Sequence, residues 1–131
     1  MQEIAVPTHS RIEFVNLTSQ VERALAAEGV RDGVCHVFIP HTTAGVTINE
    51  NADPDVTRDV IGVLGRLVPH YDDYRHSEGN SDAHAKASLM GFTATVPVAE
   101  GRLVLGTWQA IYFCEFDGPR RRRCIVTAVG L

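Results

Sequence analysis

Cysteine is scarce in this chain. Its 131 residues include three, Cys35, Cys114 and Cys124, an odd set with no Cys-x-x-Cys spacing. Each lies in a strand-like stretch, so they read as buried, reduced thiols. There is no excess of basic charge: 12 Lys and Arg stand against 16 Asp and Glu, a formal net charge of −4. A general nucleic-acid binder needs a basic surface to neutralise phosphates, so no nucleic-acid partner is expected. No apolar run is long enough to span a bilayer. The opening "MQEIAVPTHSRIEF" has neither the basic end nor the apolar stretch of a signal peptide. These features predict a soluble, cytoplasmic protein with no membrane partner. Repeats, low-complexity tracts and linkers are also lacking, so residues 1–131 are expected to form a single domain.

What the sequence does contain is alternation. "SRIEFVNLT", "VCHVFIP", "FTATVPV", "RLVLG", "WQAIYFCEF" and "RRRRCIVTAVG" read as strands. "TSQVERALAAEG" reads as a short helix, with Ser19 and Glu22 as a capping box and Gly29 as its stop. Asp53-Pro54 announces a second helix, Asp53 as cap and proline at the first position. Val56, Val60, Val63, Leu64 and Leu67 recur along it at helical spacing, and Pro69 ends it. A polar loop covers 68–82. "SDAHAKASLMG" follows as a two-turn helix capped by Ser81 and stopped by Gly91. The fold class is α+β: a mainly antiparallel β-sandwich core with about three helices.

The stretch "HTTAGVTIN" carries the first chemical signal. Ala44, Val46 and Ile48 form an apolar face expected to pack inward. His41, Thr43, Thr47 and Asn49 form a polar face expected to line a pocket, closed by Asn49 and Glu50. His41, with His76 and His84 from the loop-helix segment "HSEGNSDAH", could supply three imidazoles to one divalent metal, zinc in the first instance. His36, in an apolar strand, reads as a satisfied core residue. Glu50 could orient a ligating histidine, bind magnesium or act as a base. Gly79, Asn80 and Ser81 precede a helix whose free amides suit a phosphate, and Lys86 lies in the same segment. In the run Arg120–Arg123, Arg120 and Arg122 share one face. They could grip a phosphate, or the run could guard an edge strand. Trp108 could stack on a flat heterocycle while Gln109 hydrogen-bonds its edge, or it could be a core tryptophan.

Three segments, "HTTAGVTINENADPDV", "YRHSEGNSDAHAKASLMG" and "PVAEGRLVLGTWQAIYFCEFDGPRRR", together resemble the YjbQ-like family of small proteins, described as secondary thiamine-phosphate synthases. The resemblance covers roughly residues 35 to 130. It implies an α+β fold with a β-sandwich core, a homotrimer, and a metal-binding polar cluster from His41, His76 and His84. Glu50, Glu78, Lys86, Gln109 and Arg120 match the family's recurrent polar positions. The segment between Glu78 and His84 is shorter than in some members. The implied function is a transferase joining a pyrimidine diphosphate to a thiazole phosphate with release of pyrophosphate, with Glu50 and His84 as catalytic residues. Thr43, Asn49, Glu78, Gly79, Asn80, Lys86, Trp108, Gln109, Arg120 and Arg122 would bind the phosphorylated substrate. Two alternatives stand beside it: a metal-dependent hydrolase of a small phosphorylated metabolite, and a non-catalytic metabolite-binding trimer.

Overall fold

A computed structural model describes residues 1–131. The chain runs β1 (Gln2–Pro7), β2 (Glu13–Asn16), α1 (Thr18–Glu28), β3 (Gly33–Phe38), β4 (Ala44–Glu50), α2 (Pro54–Leu67), α3 (Ser81–Met90), β5 (Thr93–Ala99), β6 (Arg102–Leu103), β7 (Gln109–Glu115) and β8 (Arg121–Gly130). All strand pairs are antiparallel. They form a five-stranded sheet ordered β1-β8-β3-β5-β6 and a three-stranded sheet ordered β2-β7-β4. The fold is α+β with a mainly β core. No helix is long and apolar enough to cross a membrane.

β7 organises the layers. After Gln109 every one of its residues is buried, so both faces of the strand must be covered. Ile111 and Phe113 enter the main core with Cys35, Val37, Cys124 and Val126 of the larger sheet and Val21 and Leu25 of α1. Ala110, Tyr112, Cys114 and Phe116 face the other way and cluster with Leu64 of α2 and Ala83 and Ala87 of α3. The result is three layers: sheet, sheet, helices. The three cysteines are buried and free. Desolvation holds their thiols protonated, raising Cys35 to about 11 and Cys124 to about 12.

Several local expectations are corrected. β1 was not anticipated as a strand; it pairs along its whole length with β8. That pairing, with β3 on the other side, makes β8 an interior strand, so the arginine run guards no edge. Helix α1 starts at Thr18 rather than through a Ser19–Glu22 box. The Thr18 amide donates to Asn16 Oδ1, and its hydroxyl accepts from the Ile111 amide at 2.9 Å. Gly29 ends the helix in a left-handed conformation, as expected, and its amide donates to the Leu25 and Ala26 carbonyls. Asp53 caps α2 through the Asp55 amide at 2.9 Å, with Pro54 at the first turn. The N-cap position of α3 is Asn80, not Ser81. His36 lies on the outer face of β3, where its Nδ1 meets the Thr95 hydroxyl at 2.9 Å; Cys35 and Val37 are the core residues of that strand.

The apolar face of 41–49 packs inward: Ala44 and Val46 are in the core and Ile48 packs against it. The opposite face mostly meets α3, not a pocket. A Cβ on Gly45 would stand 2.7 Å from the Gly91 carbonyl oxygen. The Val46 amide donates to that same oxygen at 3.1 Å. The close approach of strand and helix end excludes any side chain at this position.

Candidate functional site

The site forms where the two sheets meet at one end of the sandwich. Arg122 on β8 and Glu115 on β7 belong to different sheets, and both point into the inter-sheet space. Their contact is bidentate, Nε to Oε2 at 2.6 Å and Nη2 to Oε1 at 2.7 Å. Glu115 is fully buried and Arg122 nearly so. Arg122 Nη2 also donates to the Thr43 hydroxyl at 2.7 Å. Glu115 accepts from the Thr8 hydroxyl and the Asp117 amide as well. A buried pair with this many partners has its charges compensated and its geometry fixed. It forms the floor of a cavity.

That cavity has a volume of about 410 Å³ and no hydrophobic lining residue. Its walls are Pro40 to Thr43, His76, Glu78, Asn80, His84, Arg120 and Arg122. Asp117 ties two of the walls together: its Oδ2 accepts from Asn80 Nδ2 at 2.8 Å and from Arg120 Nη2 at 3.0 Å. Arg120 Nε also donates to the Asp117 carbonyl. The Nη1 groups of both arginines carry no hydrogen bond within the protein. The Asn80 Oδ1 atom is buried without a partner.

The three histidines differ in their commitments. His76 and His84 stand with ring centroids 5.4 Å apart and planes at 86°. His76 Nε2 lies 3.8 Å from Glu78 Oε1. His41 Nε2 accepts the Arg123 backbone N–H at 3.0 Å, which requires a lone pair there and places the ring proton on Nδ1. Burial, and then the nearby Arg122 charge, lower the His41 pKa below the ordinary 6.5, so the ring is neutral at pH 7. No three of the His, Cys, Asp or Glu groups are arranged to share one metal ion. The imidazoles of His76 and His84 suit zinc as donors; Nδ1 of His41 would join them only with the ring proton moved to Nε2, which breaks the Arg123 contact.

The structure thus gathers His41, Thr43, His76, Glu78, Asn80, His84, Arg120 and Arg122 in one cavity. Other expected site residues lie elsewhere. Gly79 sits between two lining residues with φ of +76° and supplies the turn. Asn49, Glu50, Trp108 and Gln109 lie at the far end of the smaller sheet, where Glu50 is opposite Gln109 and the Asn51 amide donates to the Trp108 carbonyl. At about 3.3 Å of rise per residue, β4 carries Glu50 roughly 23 Å from Thr43. Glu50 is thus not among the residues that line the cavity with His84. Trp108 is exposed, so it is not a core residue. Gln109 is turned back to accept the Gly106 amide.

Lys86 is also outside the cavity. It is 2% exposed and lies 3.6 Å from Asp82. Asp82 is fully buried, with His70 Nδ1 at 3.1 Å and Arg11 at 3.5 Å. None of these contacts has hydrogen-bond alignment at the carboxylate, whose two oxygens are without a hydrogen-bond partner. Glu115 and Asp117, which fix the two arginines, were not foreseen as site-building residues. The signal for Glu115 was available: it falls in register with Ile111 and Phe113 on an apolar face, shortly before four arginines.

The chain matches the family of UPF0047 proteins described as YjbQ-like, over residues 2–131. It is 46% identical to the UPF0047 protein YugU of Bacillus subtilis, with 99% of each chain covered. It is 48% identical to a UPF0047 protein of Methanocaldococcus jannaschii, covering 95% of this chain and 91% of that one. Among solved structures, a YjbQ/UPF0047 family protein from Clostridium acetobutylicum superposes with a TM-score of 0.96 at 51% identity, over 98% of this chain and 100% of that one. A protein of unknown function from Sulfolobus solfataricus gives 0.95 at 33% identity, over 99% and 96%. The fold recurs in both solved structures, the family match spans nearly the whole chain, and this chain belongs to the YjbQ-like UPF0047 family.

Proposed function

We propose that the polar cavity binds the phosphate groups of a small phosphorylated metabolite, and that the protein acts there as a transferase of the thiamine-phosphate-synthase type. The carrying observation is the lining itself: three imidazoles, two guanidinium groups and an amide converge with no hydrophobic residue among them. In the proposed reaction a thiazole nitrogen bonds to the pyrimidine methylene carbon as that carbon's bond to the diphosphate oxygen breaks. Charge then accumulates on the departing pyrophosphate. Donors held in place before the reaction stabilise such charge best. Arg120 and Arg122 are fixed by Asp117 and Glu115, and each keeps an Nη1 group available to a ligand.

The charge balance supports a metal. Arg120 and Arg122 are offset by Glu78, Asp117 and Glu115, so the protein groups alone do not neutralise a pyrophosphate. A divalent ion, zinc before magnesium given the imidazole donors, would supply the missing positive charge. His76 and His84 would hold it, joined by His41 once Nε2 carries the ring proton and the Arg123 contact is released. Metal analysis of protein purified without chelator is expected to find stoichiometric zinc that is lost in the His41, His76 and His84 triple alanine variant. Zinc retained by that variant would refute the assignment.

The activity is tested by incubating the pyrimidine diphosphate with the thiazole phosphate and following thiamine phosphate and pyrophosphate. His84→Ala is expected to abolish both products. The position of Glu50 favours one second reading, a non-catalytic metabolite-binding trimer, because Glu78 is the sole carboxylate lining the cavity with a free rim position. Calorimetric binding of both substrates without product would select it. A hydrolase using Glu50 beside a metal-bound water has no geometric support within one chain.

A further inference from the structure

The polar cavity has a neighbour. A second concavity of about 310 Å³ is lined by Phe38, Ile39, Pro40, His41, Thr42 and Phe92. Pro40, His41 and Thr42 line both spaces. One chamber therefore offers charge and imidazole, the other aromatic surface, and a three-residue rim joins them.

We infer that Phe38 and Phe92 form the subsite for the aromatic ring of the phosphorylated ligand, whose phosphate lies in the polar cavity. The inference rests on the phosphate-binding role proposed above. The aromatic shelf is built on rigid elements. The Ile39 amide donates to the Phe92 carbonyl at 2.8 Å, and Phe38 pairs with Thr93 across β3 and β5. The two phenylalanines are thus anchored from adjacent strands. Phe92 also packs against the cluster beneath α3, whereas Phe38 is 40% exposed. Partly open aromatic side chains beside a charged pocket match a ligand with one wet, charged end and one apolar end. Trp108, which the sequence suggested as the ring platform, lies at the other end of the smaller sheet. The shelf at Phe38 and Phe92 takes that role instead.

Phenyl phosphate and methyl phosphate separate the two chambers, since they carry the same charged group on bodies of different size. Calorimetry on the full-length protein is expected to show both binding, phenyl phosphate about tenfold tighter from the ring area it buries. Phe38→Ala should reduce that preference to about twofold and leave methyl phosphate affinity unchanged. Phe92→Leu, a milder change at the more buried position, should also narrow it. Equal affinity of the native protein for the two ligands would overturn the aromatic shelf while leaving the phosphate site standing. A tenfold preference that survives both substitutions would overturn it too. Failure of both ligands to bind would remove the phosphate reading itself, and the inference with it.

Discussion

Arg122 and Glu115 show how one residue pair can serve both fold and site. The pair bridges the two sheets and floors the cavity. Arg122→Met leaves Glu115 fully buried without its cation, and breaking such a pair costs about 3–5 kcal/mol. Urea unfolding is expected to show a loss of that size. Arg122→Met combined with Glu115→Leu should recover much of it, because two apolar groups leave no uncompensated charge. Additive losses in the double variant would mean that other partners, such as Thr43 and Thr8, dominate. His41 makes a second prediction at this scale. Its folded pKa is depressed by burial and by Arg122, so the unfolded chain binds its proton more readily. The stability this difference contributes is present above 6.5 and is lost as pH falls toward the folded value. An NMR titration of the His41 ring should have its midpoint below 6.5, and His41→Asn should remove that part of the acid destabilisation.

Secondary-structure elements were the most legible level. Alternation found seven of the eight strands because each has one face in a core. It missed β1, where only Val6 of "QEIAVP" is fully buried. Caps were legible where the side chain serves its own helix, as at Asp53, and misread where it serves another element, as at Thr18. The glycine of "TAGVT" marks a contact that sequence alone does not reveal. Gly45→Ala is expected to destabilise the fold by about 1–3 kcal/mol, because the added carbon must displace a backbone carbonyl; thermal unfolding checks it. Asp82 joins three segments, the β1–β2 connection through Arg11, the 68–80 loop through His70 and α3 through Lys86. Asp82→Asn should therefore speed amide exchange in residues 70–79 more than in β7. A uniform rise would show that the cluster supports only global stability.

For the molecule as a whole, the sequence listed the polar residues well but did not tell which end of a strand each would reach. A strand of seven residues is enough to separate Thr43 and His41 from Glu50, and no local pattern reports that distance. The smaller sheet consequently has two polar ends, the cavity at one and Asn49, Glu50 and Gln109 at the other. A homotrimer, which the family resemblance implies, would give the second end a role. Ring assemblies use heterologous contacts, in which one surface of a subunit meets a different surface of the next. We expect Glu50 of one chain to approach the cavity of its neighbour. Light scattering should show a trimer, and a stable monomer at micromolar concentration would end the idea. Complementation then tests the arrangement. Homotrimers of Glu50→Gln and of His84→Ala should both be inactive in thiamine phosphate formation. When they are unfolded together and refolded as a mixture, about a quarter of the interfaces combine an intact His84 with an intact neighbouring Glu50. Recovery of about a quarter of native turnover is the expected result. No recovery from trimers shown to be mixed would mean that Glu50 and His84 must be intact in one chain, and would end the arrangement between neighbours.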